Sequence, residues 1–221
     1  MSFEQLFLNP PAQYRGTPFW SWNCKLDPAS LPEQIAAFKT MGFGGFHIHS
    51  RIGLATEYLG KEFMECVRFS NEYGKQLGLK TWLYDEDSYP SGFAGGRATR
   101  IQSHCQRCLL LSPHPVQARE LARYAVTTKD GNLLSYHRLA CGESAPQIWY
   151  AYEKIIEAES WYNDGCYVDV LNPDAVQTFI KETHEVYLAH MGNEFGNSIP
   201  AIFTDEPQFC RQHVKVKEGT F

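Results

Sequence analysis

The chain of 221 residues is 43% hydrophobic and 14% aromatic, enough to bury a substantial core. A net charge of −5 with no basic block argues against nucleic acid or an anionic membrane as the main partner. The start, MSFEQLFLNPPAQ, lacks the basic and apolar regions of a signal peptide, and no stretch reads as a bilayer span, so a cytoplasmic location is expected.

The first hundred residues alternate between two periods. TPFWSWN (17–23) is aromatic-rich and predicts a strand. DPASLPEQIAAFKTMG predicts a helix, with Ser30 and Glu33 at capping-box spacing and Ile35, Phe38 and Met41 on one face. Gly42 to Gly45 break it, and GFHIHSR (45–51) predicts a second strand. KEFMECVRFSNEYGKQLG then carries Phe63, Val67 and Tyr73 on a helix ending at Gly78, before a third strand, LKTWLYDED (79–87).

From about residue 95 to 170 the pattern shifts to short β-like runs: CLLLSP, RYAVTT, NLLSYHRL, QIWYAYEKIIEAES and CYVDVLN. A turn is expected at Lys129-Asp130-Gly131-Asn132. Helical period returns in NPDAVQTFIKETHEVYLAHMG, with Asn172 as cap, Pro173 in the first turn and Val176, Phe179, Ile180, Tyr187 and Leu188 facing the core. IPAIFTDEP (199–207) predicts a fourth strand.

This alternation predicts an α/β fold, four βα units of a (β/α)₈ barrel of TIM type, with a β-rich insert. Residues 1–94 would hold the first three units, 95–170 the insert, and 171–221 the third barrel helix and the fourth strand. Four units are half a barrel, so the remaining half is expected from the same longer chain or from a partner chain. Seven scattered cysteines favour free thiols over disulfides. A zinc site at HCQRC (104–108) would need Cys141 and Cys166 as further ligands; buried thiols are the plainer expectation.

Polar and aromatic residues gather at the predicted strand ends, where such a barrel builds its active site. Trp20 and Trp22 face the same way, as sugar platforms or as core. His47, His49 and Arg51 share a face; the two imidazoles would bind a polyhydroxylated substrate, chelate a metal as in amidohydrolase-like barrels, or serve structure. In YDED, Tyr84 and Glu86 alternate with Asp85 and Asp87, which could hold loop amides or a hard cation. FTDEP places Asp205 and Glu206 at the fourth strand end, resembling the Asn-Glu-Pro motif of a large clan of barrel glycosidases, with Asp in place of Asn. Glycoside hydrolysis needs two carboxyl groups, about 5–5.5 Å apart for retention or about 6.5–9.5 Å for inversion, and Glu86 with Glu206 is the expected catalytic pair.

PFWSWN, GGFHIHSR, YDEDSYPSGFAGG and FTDEP, in this order, resemble the bacterial glycoside hydrolase family that contains α-L-rhamnosidases active on plant polysaccharides. The resemblance implies a carbohydrate substrate, inverting hydrolysis of a terminal deoxy-sugar, and an active-site Ca²⁺. It implies Glu86 and Glu206 as acidic site residues, with His47, His49 and Arg51 near the sugar; Tyr84, Asp85, Asp87 and Asp205, at the same strand ends, are expected to bind substrate beside them. A metal-dependent amidohydrolase-like enzyme and a non-catalytic carbohydrate-binding remnant are the competing readings.

Overall fold

The computed structural model describes residues 2–209. It opens with an element absent from the expected order, helix α1 (Phe3–Leu8), closed by a reciprocal capping box between Ser2 and Gln5. Strand β1 (Phe19–Trp22) follows, then α2 (Leu31–Thr40), β2 (Gly45–Ser50), α3 (Lys61–Gln76) and β3 (Lys80–Tyr84). The three strands pair in parallel, with Trp20 opposite Ile48 and Phe46 opposite Thr81. Ser30 precedes α2, but its hydroxyl donates to the Asp27 carbonyl instead of capping.

Alternation along the strands divides this sheet into two chemically distinct faces. Trp20, Trp22, Phe46 and Ile48 point toward α2 and α3, where they pack with Ile35, Phe63 and Val67 in the main core. Edge-to-face contacts join Trp20 to Phe46 at 5.3 Å and Trp22 to Phe63 at 5.2 Å. Such pairs add about 0.5–1.5 kcal/mol each beyond their area burial. The opposite face carries Phe19, His47, His49, Trp82 and Tyr84.

Between residues 107 and 155 the chain builds a second sheet from β4 (Arg107–Ser112), β5 (Arg119–Lys129), β6 (Asn132–Arg138) and β7 (Ile148–Ile155). All its pairings are antiparallel and its order is β4-β7-β5-β6. Asp130 and Gly131 turn β5 into β6 with φ of 50° and 78°, the double left-handed geometry of a tight hairpin turn. CYVDVLN forms no strand; it contributes one isolated bridge, Val168 to Cys105.

The expected single helix after Asn172 is two: α4 (Pro173–Glu182) and α5 (His184–Met191). They part at Thr183, whose hydroxyl donates to the Phe179 carbonyl at 2.7 Å, a side-chain bond that competes with helix continuation. Each piece buries its own face, Ala175 and Phe179 in α4, Tyr187 and Met191 in α5, while Ile180 and Leu188 are exposed. Strand β8 (Ile202–Phe203) then joins the parallel sheet beside β3.

The expectation of a partial TIM barrel with four βα units is therefore corrected. The parallel strands form an open sheet in the order β1-β2-β3-β8, separate from the antiparallel one. Only β1 to β2 and β2 to β3 are joined by a single helix; the link from β3 to β8 contains the whole antiparallel sheet before two short helices. No helix follows β8 within the described residues, and none among them is long and apolar enough to cross a membrane.

Free thiols are not the rule throughout either. Cys105 and Cys166 form a disulfide with a Cα–Cα distance of 5.6 Å across 61 residues of sequence. It ties the chain together where it enters and leaves the second sheet, and it removes Cys105 from any zinc set at HCQRC. Closing a loop of that length stabilises by about 4 kcal/mol through the unfolded chain's lost entropy. The double variant Cys105→Ala, Cys166→Ala should lose about that much in urea unfolding; an unchanged midpoint would refute it.

Candidate functional site

Glu86 is fully buried just past the end of β3, with the loop SYPSGFAGG wrapped around its carboxylate. Its Oε2 accepts the amides of Gly92, Phe93 and Ala94 at 3.0, 3.0 and 2.7 Å, and its Oε1 those of Asp87 and Gly95 at 2.9 and 2.6 Å. Successive amides converge on one point only when the backbone turns through left-handed positions, and Gly92, Ala94 and Gly95 have φ of 140°, 53° and 61°. At Gly92 a Cβ would also sit 2.7 Å from Val168 Cγ1. The result is an anion nest occupied by the chain's own side chain. Desolvation pushes the Glu86 pKa up against the downward pull of those amides. Yet every group touching the two oxygens is a donor, so the nest suits the carboxylate and offers nothing to accept a carboxyl proton.

Glu86 and Glu206, the expected pair, have different surroundings. Glu86 has no oxygen free to meet a substrate, whereas Glu206 is exposed, at φ 43°, and accepts the Tyr89 hydroxyl at 3.0 Å. Asp85 is also buried. It accepts hydroxyls from Ser91 at 2.6 Å and Thr204 at 2.5 Å, with His184 Nε2 at 3.4 Å, and burial raises its pKa. Ser91 in turn accepts the Asp205 amide on its hydroxyl and donates its own amide to the Asp205 carbonyl, both at 2.9 Å. Asp85 thus fixes the segment carrying Asp205. Asp87 accepts from Asn163 at 2.9 Å.

The remaining predicted residues divide by sheet face. Trp20 and Trp22 lie in the helix-side core, 6% and 2% exposed, which corrects their reading as sugar platforms. His47 and His49 lie on the other face, stacked on Trp82 at 5.0 Å and on Tyr84 at 3.9 Å. His47 Nδ1 meets the Thr17 carbonyl at 3.0 Å and His49 Nδ1 the Ser50 carbonyl at 3.2 Å. These carbonyls assign the proton to Nδ1 in each neutral ring and leave Nε2 as acceptor. His49 Nε2 is buried without a hydrogen-bond partner and stands 3.9 Å from Asp205 Oδ2.

An acceptor facing a carboxylate leaves a gap suited to a proton or a ligand hydroxyl. The Tyr84 hydroxyl is a second buried group without a hydrogen bond; Ser91 is near it, but not in bonding geometry. Burial, and then the Asp205 charge, raise the Tyr84 pKa. Burial followed by the Glu206 charge raises that of Asp205, which Arg51 partly offsets. Arg51 also lines a cleft of about 310 Å³ with Asp87, Ser160, Trp161 and Asn163. Trp161, Tyr89, Ser91 and Thr204 were absent from the expected site. SYPSG and FTDEP contain the last three, but only the folded contacts reveal their partners.

Among the described residues no three His, Cys, Asp or Glu side chains gather closely enough to hold a metal ion. The donors here do not fit the zinc reading of His47 and His49, nor a carboxylate-based calcium site, because Asp85 and Asp87 are engaged by hydroxyl and amide donors.

Two stability measurements test this arrangement. Glu86→Gln turns an amide N–H₂ toward backbone donors, and should cost about 3 kcal/mol or more in urea unfolding; a loss under about 1 kcal/mol would overturn the nest's structural role. Burial, reinforced by Arg51, lowers the His49 pKa from 6.5 to about 4. The unfolded chain therefore takes up a proton below about pH 6.5 that the folded chain resists until about pH 4. Stability present above pH 6.5 is lost as pH falls through that window, by up to about 3 kcal/mol. The stability advantage of wild type over His49→Gln should shrink from pH 7 to pH 4, and a constant difference would refute the assignment.

No family model matches the chain, and no curated protein matches it. Among solved structures it is similar to a rhamnosidase from Novosphingobium sp. PP1Y, with a TM-score of 0.42 and 18% identity. The match covers 61% of this chain and 17% of that one, so the chain spans about a sixth of the rhamnosidase's length. So distant a likeness carries no argument about activity.

Proposed function

We propose that the C-terminal edge of the parallel sheet is a glycosidase-type site in which Asp205, not Glu86, supplies the proton. The observation that carries this reading is the unfilled gap between His49 Nε2 and Asp205 Oδ2, 3.9 Å wide and flanked by the unbonded Tyr84 hydroxyl. A protonated Asp205 is favoured by its burial and by the Glu206 charge beside it. In that state it delivers a proton to the leaving oxygen of a glycosidic bond.

Glu206 is the partner carboxylate, exposed and oriented by the Tyr89 hydroxyl, as needed for activating water or stabilising the sugar cation. Arg51, Asp87 and Trp161 line the neighbouring cleft and supply a cation, an acceptor and an aromatic edge for a polyhydroxylated ring. The sequence motifs suggest a terminal deoxy-sugar of the rhamnose type. Asp85 and Glu86 act as positioning residues that hold the two loops.

The test is turnover of a panel of 4-nitrophenyl glycosides by this chain. Asp205→Asn should lower kcat/KM by at least about 10²-fold, the size of a general-acid contribution, with folding intact. Because the folded pKa of Asp205 is raised, the active protonated form extends to higher pH than for an ordinary Asp, and activity declines as pH rises through that pKa. Sugar binding without turnover would overturn the hydrolytic reading in favour of a binding module. Full activity in Asp205→Asn would overturn the assignment of the acid.

A further inference from the structure

The antiparallel sheet has one buried face and one open one. Leu110, Ala125 and Tyr152 are buried, whereas Leu109, Leu133 and Tyr136 are each more than half exposed. A solvated sheet face ordinarily alternates to polar residues, and an open apolar patch of this kind marks a binding surface. Cross-strand pairing explains its shape. Tyr124 lies opposite Trp149 on β7 and opposite Arg138 on β6, so all three project from one face. One step along, Ala122 lies opposite Ala151, which lies opposite Leu111.

Two alanines at the middle of the sheet, bordered by Trp149, Tyr124 and Leu111, leave a hollow of about 680 Å³. Small-molecule sites span about 300–1,000 Å³. Arg138 is the sole charged side chain in its lining. The guanidinium makes one long hydrogen bond, Nη2 to the Leu121 carbonyl at 3.3 Å, and has no carboxylate at ion-pair distance among the described residues. Trp149 Nε1 is buried there with no partner.

We propose that this hollow binds an amphiphilic carboxylate, its hydrocarbon body on the Leu111–Ala151–Ala122 floor and its headgroup on Arg138. The charge pattern selects this occupant over a second copy of the chain. A twofold interface sets a patch against itself, and this lining holds no carboxylate to answer Arg138.

Calorimetric titration of the whole chain with sodium laurate, below its micellar concentration, tests the proposal, with dodecanol as the neutral comparison. Laurate should bind saturably, more tightly than dodecanol. Arg138→Gln, an exposed substitution that leaves the fold alone, should weaken laurate about tenfold and leave dodecanol unchanged, as expected for one charge-assisted contact. Absence of laurate binding, equal affinity for both compounds, or an unaffected Arg138→Gln variant would each overturn it. So would sedimentation showing a dimer that Tyr136→Lys converts to monomers, since a second copy would then occupy the face.

Discussion

The structure around the site depends on one carboxylate solvated by backbone. Glu86 is buried with five amides pointing at it, and those bonds replace the water it lost. Removing an ion from water costs several kcal/mol, which amide donors recover only if all of them converge. The loop after β3 is therefore not free to adopt other shapes. Its fixed path presents the Ser91 hydroxyl to Asp85 and to the Asp205 amide. Through Ser91, the order of this loop reaches the segment bearing Asp205 and Glu206.

The parallel sheet separates work between its faces. On the helix side, aromatic edges and aliphatic side chains make the main core, and burial of each large residue there contributes about 1.5–3 kcal/mol. On the other side, the same strands stack two imidazoles on Trp82 and Tyr84. Stacking holds the rings in place, and it leaves His49 Nε2 without a hydrogen-bond partner. His49 Nε2 and the Tyr84 hydroxyl, stacked ring on ring, are two such atoms side by side.

Much of this was legible in the sequence, and the failures have physical causes. Period-two and period-3.6 patterns located β1 to β3, α2 and α3, because each of those elements packs one face against the next. The same patterns could not show that the sheet stays open, since local periodicity says nothing about closure. Thr183 hid the break between α4 and α5 because a buried threonine reads as an ordinary helical residue. Alternation correctly put Trp20 with Trp22 and His47 with His49, but could not say which face meets the helices. The amide cradle around Glu86 was hidden for a different reason. The position of Glu86 after an apolar strand suggests chemistry, while the signal of a nest lies in the glycines at positions 92, 95 and 96 that follow it. The disulfide between Cys105 and Cys166 was invisible to cysteine counting, as pairing depends on where the chain returns.

Tyr167, one residue beyond Cys166, donates its hydroxyl to the Ser91 carbonyl at 2.6 Å and accepts the Gln208 amide on it at 2.9 Å. One phenol thus stands as a post between two segments that shape the pocket, and it is planted where the second sheet hands the chain back. Everything between Arg107 and Ile155 can be viewed as an excursion from that post. Its strands, hairpins and outward hollow are free to be lengthened, trimmed or refitted without disturbing the pocket, provided the chain comes home to the same spot.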